Sequence, residues 1–189
     1  WSEIPWQDLA FPSVRWALGA LVLTFGWSLL QTPLLRLWAD LTGAEAPRWW
    51  DTAAQIASPG DLTLAVLALA VVPPICEEVF FRGVFQARLL ALGTAAAVLI
   101  QAGVFALYHL DPYGAPVEVL SAVLLGLLRL GAGSLLIPIL AHAANNGLAL
   151  VEFAGRVPLW DSLGPWAAPA ALLALLLGAV VQPWRVARG

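Results

Sequence analysis

Long uncharged stretches alternate with short polar segments along this chain. Residues 16–35, 89–110, 130–151 and 162–184 each contain no Asp, Glu, Lys or Arg. An α-helix needs about 20 mainly apolar residues to cross the hydrocarbon core of a bilayer. A transmembrane β-barrel would instead alternate polar and apolar residues. The pattern therefore predicts an all-α, polytopic transmembrane helical bundle.

We expect about six spans in a single membrane domain that covers residues 1–189. The predicted spans lie at about residues 14–38, 62–91, 94–110, 116–130, 133–152 and 166–183. The segment 39–61 is rich in acidic residues, proline and glycine, which predicts an extramembrane loop. The spans and the loop account for most of the chain, and no internal repeat interrupts them.

The second predicted span contains two adjacent prolines, Pro73 and Pro74. Proline removes a backbone donor and clashes with the preceding turn, so it kinks or breaks a helix. It also suits the first turn of a new helix. We therefore expect two helical pieces, 62–72 and 75–91, with a kink or a broken helix at Pro73-Pro74.

Composition and charge narrow the class of protein. The chain is 61% hydrophobic, and its mean hydropathy is +0.84. A soluble domain is about 45–50% apolar. The net charge of −3 and the absence of a basic patch give no indication of a nucleic-acid partner. The single cysteine, Cys76, excludes an internal disulfide, and no CxxC zinc motif is present.

The arginines predict an orientation in the membrane. With six spans, one side carries Arg15, Arg88, Arg129, Arg185 and Arg188, whereas the other carries Arg36, Arg48 and Arg156. Arginine is enriched in cytoplasmic loops, so both termini are predicted to lie in the cytoplasm of a cell whose plasma membrane holds the protein. This orientation places His109 near the outer end of its span and predicts a pocket that opens outward.

Ionisable and amide side chains interrupt the apolar segments at a few positions. They are Glu77, Glu78 and Arg82 in the run ICEEVFFRGVF, His109, and the pair His142 and Asn146. A charge at the bilayer centre costs about 2.5–3.5 kcal/mol on insertion scales, so such residues are usually functional. Their occurrence on separate apolar segments predicts one polar pocket inside the bundle.

The helical spacing of these residues suggests a division of labour. Glu78 and Arg82 are four residues apart and share a helix face, as do His142 and Asn146. Glu77 is rotated by about 100° from Glu78, which leaves it free to face the pocket as a base. His109 could share a water molecule with it, and His142 and Asn146 could donate to a developing oxyanion. These are the parts needed for hydrolysis of a peptide bond by an activated water.

The same residues resemble the motifs of a known family. Glu77-Glu78-x-x-x-Arg82 resembles the EExxxR motif of the CaaX prenyl endopeptidase and bacteriocin-processing (CPBP, or Abi) family of intramembrane glutamic proteases. Phe105-x-x-x-His109 and His142-x-x-x-Asn146 resemble its FxxxH and HxxxN motifs, in the same order. The resemblance covers residues 62–150, the predicted catalytic core.

The resemblance implies a role for each motif residue. Glu77 would activate water with the help of His109, and His142 and Asn146 would stabilise the oxyanion, while Glu78 and Arg82 orient the site. No metal or other cofactor is implied. The short chain is similar to the prokaryotic branch, which implies a membrane-anchored protein or peptide substrate that is cut near its anchor or a terminal signal.

Three other functions are compatible with the residues. Two histidines and a carboxylate could ligate zinc in a metalloprotease, although no HExxH motif is present. A non-enzymatic membrane adaptor or immunity protein could use the polar cluster to hold helices together. A proton-linked carrier could use buried carboxylates and a broken helix.

Overall fold

The computed structural model describes residues 13–47, 63–155 and 158–182. Within these ranges the chain is helical and contains no strand, which confirms the predicted all-α bundle. Six helices follow one another: α1 (Val14–Thr42), α2 (Thr63–Leu92), α3 (Thr94–His109), α4 (Ala115–Ala132), α5 (Leu136–Gly155) and α6 (Leu159–Val181).

Helices α1, α2, α4 and α6 are long and apolar enough to cross a membrane. Helix α3 has 16 residues and is shorter than a full span. Leu107, Leu110 and Val180 expose 73%, 86% and 78% of their surfaces, as suits side chains that face lipid. The chain is therefore a membrane protein.

Helix α1 is longer than its pattern predicted. It begins at the Ser13 cap, whose hydroxyl accepts from the Trp16 backbone N–H, and it ends at Gly43. Gly43 adopts the left-handed conformation with φ of 72°, which glycine tolerates without steric cost. Residues 39–42 are therefore helical, and most of the predicted 39–61 loop lies outside the described residues.

At Pro73-Pro74, where the sequence predicts a kink or a break, the helix is deformed but stays continuous. Helical structure runs through Thr63–Leu92, with a π-helical segment over Val66–Val71 just before the prolines. A second π-helical segment, Val79–Phe85, surrounds Arg82. Since Pro73 has no N–H, the carbonyl of Leu69 loses its α-helical donor, and the wider π turn absorbs the strain.

Glycines bring α1 against α6. A Cβ added to Gly178 would lie 2.6 Å from the Leu23 Cβ, and one added to Gly26 would lie 2.9 Å from the Ala171 carbonyl oxygen. Small residues at helix contacts allow this close approach inside membranes, where no hydrophobic effect drives helices together. One face of α1 is thus held on α6.

The other face of α1 turns towards the rest of the bundle. One apolar cluster joins α1, α4 and α5, and its members are Trp16, Ala20, Leu125, Leu128, Ile137 and Ala141. A second cluster joins α2, α3 and α4 through Phe81, Ala102, Phe105 and Ala122. The two clusters hold α1 to α5 around a common interior.

Contacts at one end of the bundle bring three chain segments together. Arg36 near the end of α1 forms a two-pronged ion pair with Asp161 at the start of α6. The Trp38 indole donates to the Pro112 carbonyl between α3 and α4, at 2.9 Å. This end, which we call the Arg36 end, is the one that the arginine pattern assigned to the outside.

Candidate active site

A cavity of about 320 Å³ lies between α1, α2, α3, α4 and α5. The four residues predicted to be catalytic all line it: Glu77, His109, His142 and Asn146. Other lining residues, such as Leu35 and Asp111, place the cavity towards the Arg36 end. Side chains up to 69 positions apart in the sequence thus meet in one space, as their apolar surroundings predicted.

Glu78 and Arg82 lie behind the cavity rather than in it. The Arg82 Nη1 donates to the Glu78 Oε1 at 2.8 Å, and both side chains are fully buried. The Arg82 Nη2 donates to the Ala122 carbonyl on α4 at 3.1 Å. The i,i+4 pair predicted from spacing is therefore present, and it also ties α2 to α4.

His142 lies between the two glutamates. Its Nδ1 is 2.8 Å from the Glu78 Oε1, and its Nε2 is 3.7 Å from the Glu77 Oε2. A carboxylate accepts hydrogen bonds, so Nδ1 carries the proton and Nε2 faces Glu77. The spacing argument did not foresee that this histidine bridges adjacent glutamates.

The FxxxH segment on α3 orients His109. The His109 Nδ1 donates to the Phe105 carbonyl at 2.9 Å, which leaves Nε2 as its second functional nitrogen. The Phe105 ring lies 4.6 Å from the His109 ring and 4.7 Å from the Arg82 guanidinium carbon. Phe105 therefore separates the arginine from the histidine and receives a cation–π contact from Arg82.

Asn146 has a structural bond that the sequence did not indicate. Its Nδ2 donates to the Leu69 carbonyl at 3.0 Å. This is the carbonyl that loses its α-helical donor because Pro73 has no N–H. One of the two amide hydrogens of Asn146 is thus used to close the deformed turn of α2.

Glu118 is a cavity residue that sequence reasoning missed. Its Oε2 lies 3.7 Å from the His109 Nδ1, and it lines the same space as Glu77. The sequence shows it in the first turn of a span, where a carboxylate also suits the helix dipole. Nothing in its spacing distinguished a cavity residue from a helix-end residue.

Buried glutamines extend the polar network away from the cavity. The Gln86 Nε2 donates to the Gly126 carbonyl at 3.1 Å, and the Gln101 Nε2 donates to the Ala122 carbonyl at 2.8 Å. Gln86 follows Arg82 by four residues, which is the one sequence signal that could have identified it. We call Glu78, Arg82, Gln86 and Gln101 the polar ladder.

Helix α1 supplies a polar wall that no motif predicted. The Trp27 indole donates to the Ser121 hydroxyl at 2.8 Å. The Asn145 Oδ1 accepts from the Gln31 Nε2 at 2.6 Å and from the Ser28 hydroxyl at 3.2 Å. The cavity is therefore closed by a helix outside the motif-bearing core.

Carboxylates and basic side chains alternate around the cavity. Arg82 offsets Glu78, while the imidazoles of His142 and His109 lie 3.7 Å from Glu77 and Glu118. In the described part of the chain, no group of three or more His, Cys, Asp or Glu side chains has the arrangement of a metal site. The arrangement supplies a carboxylate, two oriented imidazoles and amide donors around one space.

Comparison with known proteins agrees with the motif pattern. Residues 59–148 match the family model described as Type II CAAX prenyl endopeptidase Rce1-like, and this segment contains all six predicted site residues. The chain matches no curated protein and no solved structure. Over this segment, which is just under half of its length, the chain is therefore similar to type II CAAX prenyl endopeptidases, and the match supports, in general terms, an intramembrane protease of that type.

Proposed function

We propose that the chain is a glutamic intramembrane endopeptidase in which Glu77 activates the attacking water. The observation that carries this proposal is that the two adjacent glutamates differ in burial and in hydrogen bonding. Glu78 is fully buried and accepts from both Arg82 and His142, whereas Glu77 lines the cavity. A base must reach its proton within hydrogen-bond distance, and only the cavity side chain is open to water.

The first step adds water to the scissile carbonyl. The Glu77 carboxylate accepts a proton from the water while the water oxygen bonds to the carbonyl carbon. The C=O π electrons move to the oxygen and form an oxyanion. Proton transfer to Glu77 removes a negative charge that would otherwise repel the oxyanion. The side chains around the cavity thus become less negative as the oxyanion forms, which favours the transition state.

The second step breaks the peptide bond. The oxyanion electrons re-form the C=O bond as the C–N bond breaks, and protonated Glu77 returns its proton to the leaving nitrogen. The products are a carboxyl group and an amine, and Glu77 is again a carboxylate. The His142 Nε2–H and the second amide hydrogen of Asn146 are the proposed oxyanion donors.

His109 and Glu118 form the proposed second half of the site. The Nδ1 bond to the Phe105 carbonyl directs the His109 Nε2 towards a water shared with Glu77. Glu118 at 3.7 Å from the imidazole would stabilise that ring when it carries a proton. The four cavity residues thus keep the roles expected from the sequence, and Glu118 is added as a positioning residue for His109.

The proposed substrate is a membrane-anchored protein or peptide that is cut near its anchor or a terminal signal. The proposed location is the plasma membrane, with both termini in the cytoplasm and the Arg36 end outside. An Asp40→Cys variant in a Cys76→Ser background tests the orientation, because Asp40 is exposed at that end. Labelling of intact cells by an impermeant thiol reagent supports the proposal, and labelling only after lysis reverses it.

A paired proteolysis assay tests the proposed chemistry. Wild type, Glu77→Gln and Glu45→Gln are compared in detergent with a library of peptides that carry a transmembrane anchor. Glu45 is an exposed glutamate outside the cavity, so its variant is a matched control. Cleavage by wild type and Glu45→Gln but not by Glu77→Gln is expected, with or without a chelator.

The same assay separates the alternatives. Loss of wild-type cleavage with a chelator that returns on addition of zinc would favour a metalloprotease. Cleavage by Glu77→Gln at the wild-type rate would contradict the proposed base. Binding of a partner without cleavage of any library member would favour the adaptor function.

A further inference from the structure

The asparagine next to the motif asparagine is held in a fixed orientation by α1. Asn145 and Asn146 follow His142 by three and four residues, so both side chains lie on its side of α5. The Asn145 Oδ1 accepts two hydrogen bonds from α1, one from Gln31 and one from Ser28. The carboxamide oxygen is thus saturated by protein donors.

The amide nitrogen of Asn145 differs from its oxygen in its hydrogen bonding. Asn145 lines the cavity, and in the described part of the chain no hydrogen-bond partner is found for its Nδ2. Asn146, by contrast, donates to the Leu69 carbonyl. With Oδ1 held by the two bonds from α1, Nδ2 is left to present its two donors to whatever occupies the cavity.

The orienting residues belong to a part of the chain that the family model does not cover. The match begins at residue 59, whereas Ser28 and Gln31 lie in α1. Helix α1 is in turn fixed on α6 by the close contacts of Gly26 and Gly178. The position of this donor therefore depends on helices outside the matched segment.

We infer that Asn145 is a substrate-binding residue whose Nδ2 donates to a backbone carbonyl of the bound peptide, with Gln31 and Ser28 as its positioning residues. A peptide backbone in the cavity presents carbonyl acceptors that lose water on entry, and an unpaired carbonyl there is unfavourable. An oriented amide donor satisfies one of them without reorganisation. This inference rests on the proposed function, since it assumes a peptide in the cavity.

Binding and cleavage of one probe test the inference. The probe is the tightest binder to Glu77→Gln protein in nanodiscs, selected from a pool of fluorescent peptides of random sequence, each followed by one transmembrane helix. Affinities are measured by fluorescence anisotropy in the Glu77→Gln background, where hydrolysis is not expected. Cleavage rates are measured in the wild-type background.

Asn145→Ala is expected to weaken binding about three- to tenfold, as loss of one hydrogen bond does. Asn145→Asp, which keeps the shape but offers only acceptors, is expected to weaken it at least as much and serves if the alanine variant does not fold. Gln31→Leu is expected to weaken binding less. Combined with Asn145→Ala it should add nothing, because both changes remove the same oriented donor.

Arg36→Ala is the matched control. It removes a contact of α1 with α6 outside the cavity, so affinity and cleavage are expected to stay within about twofold of the parent. For Asn145→Ala, a rise in KM with unchanged kcat would assign the Asn145 donor to a carbonyl away from the cleaved bond. A fall in kcat would assign it to the scissile carbonyl.

Several results would overturn the inference. They are wild-type affinity in Asn145→Ala, additive losses for Asn145→Ala and Gln31→Leu, or no pool member that binds above empty nanodiscs. Cleavage by Glu77→Gln would contradict the proposed catalytic base instead. The affinity series would still decide the role of Asn145, so the two failures are distinguishable.

Discussion

The two glutamates of α2 are adjacent in sequence but lie in contrasting regions of the molecule. Glu78 belongs to the polar ladder, where donors and acceptors meet at 2.8–3.1 Å and the side chains are fully buried. Glu77 faces the cavity, where its contact with His142 is 3.7 Å and the space around it is open. A rotation of about 100° around one helix thus separates a side chain held by hydrogen bonds within the protein from one that faces open space.

The contrast shows how a bundle can hold reactive groups in a membrane. The polar ladder ends on carbonyls of α4 at Ala122 and Gly126, where small side chains let long ones reach the backbone. Hydrogen bonds of 2.8–3.1 Å there join α2 and α3 to α4, although each of the four side chains also keeps one buried polar atom without a partner in the described part of the chain. Because these bonds tie the helices together, the cavity side can keep longer contacts without collapse of the site.

The largest expected effect is a loss of cleavage, without a loss of stability, when the cavity residue Glu77 is changed. Glu77→Gln should lower the cleavage rate about 10²–10⁴-fold, the range for loss of a general base, while thermal unfolding in detergent is little changed. A circular dichroism melt and a cleavage assay on the same preparation measure both. A large drop in melting temperature would mean that Glu77 belongs with the polar ladder.

Arg82→Met changes the polar ladder and should lower the stability of the protein. It leaves Glu78 buried with His142 as its only partner, which is expected to reduce the free energy of unfolding by about 3–5 kcal/mol. Arg36→Met is the control, because the exposed pair with Asp161 is screened by solvent and should contribute little to stability. Equal losses in the two variants, measured by denaturant unfolding in micelles, would contradict the distinction between buried and exposed pairs.

Gly178→Val should cause an intermediate loss of stability, and it should also displace α1, which lines the cavity. A Cβ at Gly178 would meet the Leu23 backbone nitrogen at 2.6 Å, so the helices must separate, at an expected loss of stability of about 1–3 kcal/mol. Gly103→Ala is the matched control, since a Cβ there meets nothing within 4 Å. Wild-type stability in Gly178→Val would show that α1 and α6 are not held by this contact.

The smallest expected effect concerns the electrostatics of the cavity. Glu118→Gln keeps the shape of the side chain but removes the charge 3.7 Å from His109. Because both side chains are partly exposed, the change is expected to lower kcat only about three- to tenfold, with KM and melting temperature nearly constant. Unchanged kcat would mean that Glu118 has no influence on His109.

The sequence predicted the helices well because apolar run length has a direct physical meaning in a bilayer. The predicted spans coincide with the helices α1 to α6, of which four are long and apolar enough to cross a membrane, and the differences in position lie at helix ends and at Pro73-Pro74. There the chain widens the helix into a π turn instead of breaking it. Proline chemistry predicts the missing hydrogen bond, but it does not show that Asn146, 73 positions from Pro73, supplies a donor to the vacated carbonyl.

The sequence alone determined that the chain is a helical membrane protein and that its ionisable residues form a pocket, because uncompensated charge is costly in lipid. The i,i+4 spacing also determined the Glu78–Arg82 pair, since one helix holds both partners. Only the tertiary structure decided that His142 bridges the glutamates, that Glu118 approaches His109, and that α1 orients Asn145. Those contacts join different helices, and their geometry depends on how the helices pack, which no local spacing encodes.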